Sequence, residues 1–199
     1  MDRTAAAALF AWLDRELWLL TAGAGDRRGG LIATFVNTAS LTPDFPRVVV
    51  GIARQHHTWE LIEESGAFAL HLLTPDNITW VSRFGLQSGR EADKFLGLDP
   101  HTASTGSPIL DGAIGWLDCK VETKLDIGDR TLYLAQVVES KVTHYGPPLT
   151  LRQLQAHLSP DVLAEMKRLL QRDSQIDAQA IRGWREQHGI EALGQQIPS

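Results

Sequence analysis

The chain has very little cysteine. Cys119 is the only one among 199 residues, so no intrachain disulfide can form and a structural thiolate zinc cluster is excluded. It also lacks an excess of basic charge: 19 Lys and Arg against 24 Asp and Glu give a net charge of −5. That balance argues against a general nucleic-acid binder, although a local basic patch stays open. No apolar run has the length needed to span a bilayer. Met1 to Ala8 carries a single basic residue and runs on to Asp14, Arg15 and Glu16, a poor signal peptide. The expectation is a cytoplasmic protein that works on neither a membrane nor nucleic acid.

Several motifs are missing too. Neither GxGxxG nor GxxxxGK[ST] occurs, so a Rossmann or P-loop nucleotide site is unsupported. GxSxG is missing, and no serine stands out with a base, which counts against a hydrolase.

What is present reads as short strands joined by turns. Thr4 to Glu16 is expected to be a helix with Leu9, Phe10, Trp12 and Leu13 on an apolar side. Leu17 to Ala22 and Leu31 to Ser40 read as strands, connected by the turn-rich Gly23 to Gly30. Arg47 to Ala53 is a valine-rich strand, Thr58 to Ser65 a helix ended by Gly66, and Ala67 to Leu73 a further strand. Thr74-Pro75-Asp76 is a helix start, and Leu86 to Pro108 is loop-like. Trp116 to Leu125 and Thr131 to Val142 alternate around an Asp126–Asp129 hairpin turn. The first places Cys119 inward as an inert core thiol; the second places Leu132, Leu134, Val138 and Val142 on one face. From Leu149 onward the pattern turns helical. Such an order implies a mainly β (α+β) antiparallel barrel or sandwich.

Four segments could carry chemistry. In Ala33 to Pro43, small residues would let a flat ligand approach the main chain, with the Thr38 and Ser40 hydroxyls on its polar edge. The plainer reading is a strand end whose hydroxyls satisfy local amides, and spacing alone favours it. In Arg54 to Thr58, a helix start with Arg54 and a histidine suits a phosphate; alternatively Thr58 merely caps the helix. Adjacent His56 and His57 usually point apart and have no evident third ligand, so no metal is expected. Arg90 and Lys94 could clamp a phosphate with Phe95 anchoring the loop, or form a solvated charged loop. Arg130 follows the turn residues Gly128 and Asp129.

Taken in order, GLIATFVNTASLTP, the Arg54–Thr58 stretch, GAFALHLL, Asp93-Lys94-Phe95 and CKVETKLDIGDRTLYLAQVV resemble the flavin-reductase-like family of FMN-binding split barrels, over roughly Leu17 to Val142. The resemblance implies an antiparallel Greek-key split β-barrel in residues 1–145, with residues 146–199 as a C-terminal helical extension. It further implies a homodimer, bound FMN or sometimes FAD, and NAD(P)H as electron donor. By the same resemblance, Val36, Asn37, Thr38, Ala39, Ser40 and Leu41 contact the flavin ring through backbone groups. Arg54, His57 and Thr58 hold the ribityl phosphate, and Lys94 and Phe95 sit near the flavin. Arg130 stands where the family's Gly-Asp-His motif has its nicotinamide-side histidine, so it would meet a pyrophosphate or a different donor. A flavin reductase is the leading expectation. An FMN-binding electron carrier or sensor without nicotinamide turnover is the second, and a cofactor-free interaction module the third.

Overall fold

The computed structural model describes residues 3–190; residues 191–199, the end of the expected extension, lie outside them. Seven strands form one sheet in the order β2-β1-β5-β8-β9-β4-β3. They are β1 (Trp18–Ala24), β2 (Arg27–Ala33), β3 (Val36–Thr38), β4 (Arg47–Ala53), β5 (Ala67–Leu72), β8 (Gly115–Asp126) and β9 (Arg130–Val142). All their pairings are antiparallel. The two-residue β6 (His101–Thr102) and β7 (Pro108–Ile109) form a separate ribbon. The helices are α1 (Arg3–Ala11), α2 (His57–Ser65), α3 (Ile78–Gly85), α4 (Leu151–His157) and α5 (Pro160–Gln187).

The sheet must curl. β2 and β3 lie at its opposite edges, yet only Thr34 and Phe35 join them. Laid flat, six interstrand spacings would separate the edges by about 29 Å. The chain from Ala33 to Val36 reaches about 11 Å at most. A half-barrel brings the two edges together, and the break at Thr34-Phe35 is its split.

The curl divides β1 between two cores. Leu20 and Ala22 face the barrel interior with Val50, Ile52, Phe68, Cys119, Tyr133 and Ala135. Leu19, and Leu17 just before the strand, face outward onto Val81, Phe84, Phe95, Leu149 and Leu154, beneath α3 and α4. From α2, Leu61 and Ile62 also enter the barrel core. Gly30 of β2 lets α3 sit close: a Cβ there would lie 2.9 Å from the Phe84 ring and 3.1 Å from the Leu20 carbonyl. Gly30→Ala is therefore expected to lower stability by about 2 kcal/mol, measured by equilibrium denaturation.

Several expectations need correction. The connector reduces to the two-residue turn Gly25-Asp26, with Gly25 at φ 59°, because β1 and β2 pair through Ala24↔Arg27. The expected strand from Leu31 to Ser40 is broken at Thr34-Phe35, where the chain changes edges. The inward face of β9 carries Thr131, Tyr133 and Ala135, whereas Leu132 and Leu134 are half-buried and Val138 and Val142 exposed. Register shifts at Asp118/Cys119 and Val121/Thr123 in β8 explain why simple alternation misled there. Asp118 is buried, accepting from the Thr105 amide at 2.7 Å, while Leu125 is exposed. The first helix stops at Ala11, and Leu9, Phe10, Trp12 and Leu13 are exposed rather than packed. Cys119 is fully buried as expected, and burial pushes its thiol pKa far up. Thr74 does start a helix: with Asn77 it forms a capping box ahead of α3.

Candidate functional site

Two cavities meet along β2, an edge strand of the sheet. The larger, about 650 Å³, lies between Gly30–Ile32, the start of α2, the end of α3 with the loop that follows, and α5. The smaller, about 490 Å³, continues along β2 to Thr34 and Phe35 and is bounded by Gly51–Ala53, Arg130 and α5. Leu31, Ile32, Gln55, His56 and Asp173 line both, so they form one two-lobed cleft.

The larger lobe has a mixed lining, with Glu91, Glu165 and Asp173 beside Arg90, Lys94, Arg168 and Arg172, and its donors gather at the α2 start and Lys94. His57 and Thr58, in the first turn of α2, both line it. The free amides of a helix start carry partial positive charge. The N-cap is His56, whose side chain makes no capping bond, so Thr58 is a buried first-turn residue and not the cap. His57 Nδ1 lies 3.1 Å from Glu60 Oε2, and Gly89 packs on its ring: a Cβ there would be 3.1 Å from His57 Cδ2.

Lys94 reaches the same lobe. It is 7% exposed, and its Nζ donates to the Gly30 carbonyl at 2.9 Å and the Phe84 carbonyl at 2.8 Å. An ammonium has three N–H groups, so these bonds fix the cation and leave one donor. Burial lowers its pKa to about 8. Arg90 is held by Glu60 at 2.6 Å and by the Gln55 carbonyl at 2.8 Å. The expected pair of cations thus shares one wall, each already tied to the protein.

The smaller lobe is flatter and more apolar. Two guanidinium groups approach the Phe35 ring, with Arg15 at 5.1 Å and Arg130 at 4.5 Å from its centre. Arg130 bonds Asp129 at 2.5 Å and Asp177 of α5 at 2.8 Å. It therefore fastens α5 to the turn ahead of β9. Gly128 permits that approach: at φ 99°, a Cβ on it would lie 2.6 Å from Trp184 Cβ. His56, lining both lobes, has its pKa lowered chiefly by burial, with Asp173 opposing.

The other expected site residues lie elsewhere. Arg54 pairs with Asp126 at 2.9 Å and stacks over Trp59, outside the lining of either lobe. Phe95 is core, edge-on to Phe84 at 5.3 Å, and so anchors the loop behind Lys94. Val36, Asn37, Thr38, Ala39, Ser40 and Leu41 begin beside the smaller lobe's Phe35 but do not line it. Val36–Thr38 is taken up by pairing with β4, and Ser40 bonds its own neighbour Thr42, the plainer of the two readings. Sequence reasoning missed Phe35, Gln55, His56 and Asp177 as wall residues. The first three lie within stretches already suspected; locally Asp177 reads only as part of a helix-starting capping box, Ser174-Gln175-Ile176-Asp177, but α5 runs through it unbroken.

Residues 12–156 match the family described as flavin reductase like domain. The chain belongs to that family. It is 31% identical over 136 residues to a high molecular weight rubredoxin of Moorella thermoacetica, covering 67% of this chain and 58% of that protein. It is 29% identical over 136 residues to a ferric-chelate reductase (NAD(P)H) of Archaeoglobus fulgidus, covering 67% and 79%. The chain thus spans little more than half of the first relative's length. Among solved structures, a homologue of nitrilotriacetate monooxygenase component B from Mycobacterium thermoresistibile superposes with a TM-score of 0.65 at 27% identity, covering 75% of this chain and 82% of that one. α5 lies beyond the matched span.

Proposed function

We propose that this protein is a flavin reductase that binds FMN in the two-lobed cleft and takes electrons from NADH or NADPH. The observation that carries this reading is the larger lobe, which the α2 start and a buried, tethered lysine both line. That donor set fits a phosphate monoester, and the apolar strip along Leu31 and Ile32 leading to Phe35 fits a flat ring. The α2 amides, His57, Thr58 and Lys94 would hold the phosphate. The backbone from Gly30 to Phe35 would flank the ring, with Val36 to Leu41 next in line. Arg54 would act indirectly, by fixing Trp59. A bound flavin supplies a ring that accepts a hydride at N5 and passes electrons on; the protein's part is to orient it and exclude water. No side chain is required as nucleophile.

Exposed Leu9, Phe10, Trp12 and Leu13, close together in the chain at the end of α1, support a homodimer, because large apolar groups grouped at a surface suit a protein partner. Among the described residues no helix is long and apolar enough to cross a membrane.

The test is direct. Purified protein is expected to take up FMN with a shift in the flavin spectrum, and to oxidise NADH or NADPH in the presence of free flavin. A preparation that takes up neither FMN nor FAD would sink the proposal. Arg130 and its bond to α5, on the side where the family carries a histidine, favour a second reading: a flavin-loaded electron carrier without nicotinamide turnover. Flavin binding with no oxidation of either nucleotide would select it.

A further inference from the structure

The helix α5 lies outside the family-matched span, yet it walls both lobes of the cleft. No residue of its 28 is fully buried, and the face it turns to the barrel is half-buried. Its attachment at the smaller lobe is polar. Arg130 grips Asp177 Oδ2, which fixes the carboxylate and leaves Oδ1.

Asp177 Oδ1 is buried and has no hydrogen-bond partner, and the same holds for Gln55 Nε2. Both side chains line the smaller lobe. An unmet buried polar atom is unfavourable, and here one is an acceptor while the other is a donor. A guest presenting an N–H to the first and a C=O to the second would remove both costs. The rest of the lobe supplies flat, apolar walls from Leu31, Ile52, Ala178 and Ile181 beside Phe35. Both orphaned atoms are sealed from water, so the guest meets them after a side-chain rotation. Burial also raises the pKa of Asp177, against the pull of Arg130.

We propose that Asp177 and Gln55 read the amide edge of the planar ring that enters the smaller lobe, which makes α5 part of the recognition surface. The inference rests on the flavin-reductase reading, in which two rings carry such an edge. One is the nicotinamide, through its carboxamide; the other is the flavin, through its pyrimidine imide.

Two ligand pairs separate these sources by binding alone, in the full-length protein. FMN is compared with 3-methyl-FMN, which lacks the imide N–H. NAD+ is compared with its 3-acetylpyridine analogue, in which a methyl group replaces the amide nitrogen. Dissociation constants come from flavin fluorescence for the first pair and tryptophan fluorescence for the second. The wild-type protein is expected to prefer the natural ligand about tenfold in one pair. Asp177→Ala should bring that ratio close to one and leave the other pair unchanged; the pair that collapses names the ring. If Asp177→Ala does not fold, Asp177→Asn takes its place, since it keeps the side chain's size and removes the carboxylate. A folded variant that leaves both ratios as they were overturns the inference, as does a wild-type protein that binds both natural ligands and discriminates in neither pair. A wild-type protein that binds neither flavin nor nicotinamide overturns the functional proposal and this inference together.

Discussion

Lys94→Met is expected to weaken FMN binding by roughly a hundredfold while changing riboflavin binding much less. A charge-assisted bond is worth about 1.5–3 kcal/mol, and each 1.4 kcal/mol is tenfold in affinity. Riboflavin has the ring but no phosphate, so the difference between the two ligands isolates the charge. The variant also deprives the Gly30 and Phe84 carbonyls of their donor, so some thermal stability is lost as well. A pH titration separates these effects. The pKa of Lys94 is lowered to about 8 by burial, so its charge disappears as pH rises through that value. A neutral amine still has two N–H groups for the two carbonyls, and the fold keeps its tie. Wild-type affinity for FMN is therefore expected to fall as pH rises through about 8. In Lys94→Met that step should be missing. Equal losses for FMN and riboflavin would show that Lys94 serves only to hold β2 and α3 together.

Acidification is expected to destabilise the fold through His71, by about 3 kcal/mol between pH 6.5 and pH 4. His71 is fully buried on β5. Its Nδ1 lies 3.0 Å from the Leu19 carbonyl, and its Nε2 lies 3.0 Å from the Leu110 amide. A carbonyl can only accept and an amide N–H can only donate. The ring must therefore be neutral, with its proton on Nδ1. Protonating Nε2 would set two N–H groups against each other. Its pKa is accordingly lowered from 6.5 to about 4, with burial as the main cause. Between those values the unfolded chain binds a proton that the folded chain refuses, so stability falls as pH falls. The loss begins below 6.5 and is complete below about 4, and 2.5 units at 1.36 kcal/mol each give about 3 kcal/mol. The carboxylates of Glu60 and Asp93, held low mainly by Arg90 and Arg28, are exposed and add little. Urea denaturation at stepped pH checks the slope. In His71→Gln, which has no group titrating there, the slope from 6.5 to 4 should flatten. An unchanged profile would place the acid sensitivity elsewhere.

These two residues show how unevenly the sequence exposes function. Lys94 lies in a run whose order among other motifs pointed to the family, yet its tie to two carbonyls was not legible. Gly30 and Phe84 are 64 and 10 residues away from it, and nothing in local charge reports such a bond. His71 carried no signal at all, because a histidine inside a strand looks the same whether it faces solvent or a carbonyl.

Local physics determined a good deal from the sequence alone. The turn residues and hydrophobic alternation placed the β8–β9 hairpin, the Thr74 cap and the buried Cys119. The order of short strands implied an antiparallel barrel or sandwich, and the family, with its split barrel, followed from motif order. Only the tertiary structure decided which way the alternating faces point, because bulges in β8 and the curl of the sheet reset inside and outside. It alone sent Arg54 to Asp126, placed Phe95 in the core, and brought Asp177 onto Arg130. Those outcomes depend on contacts between residues tens of positions apart. Their energies are set by burial and by competing partners, and neither quantity exists until the chain has folded.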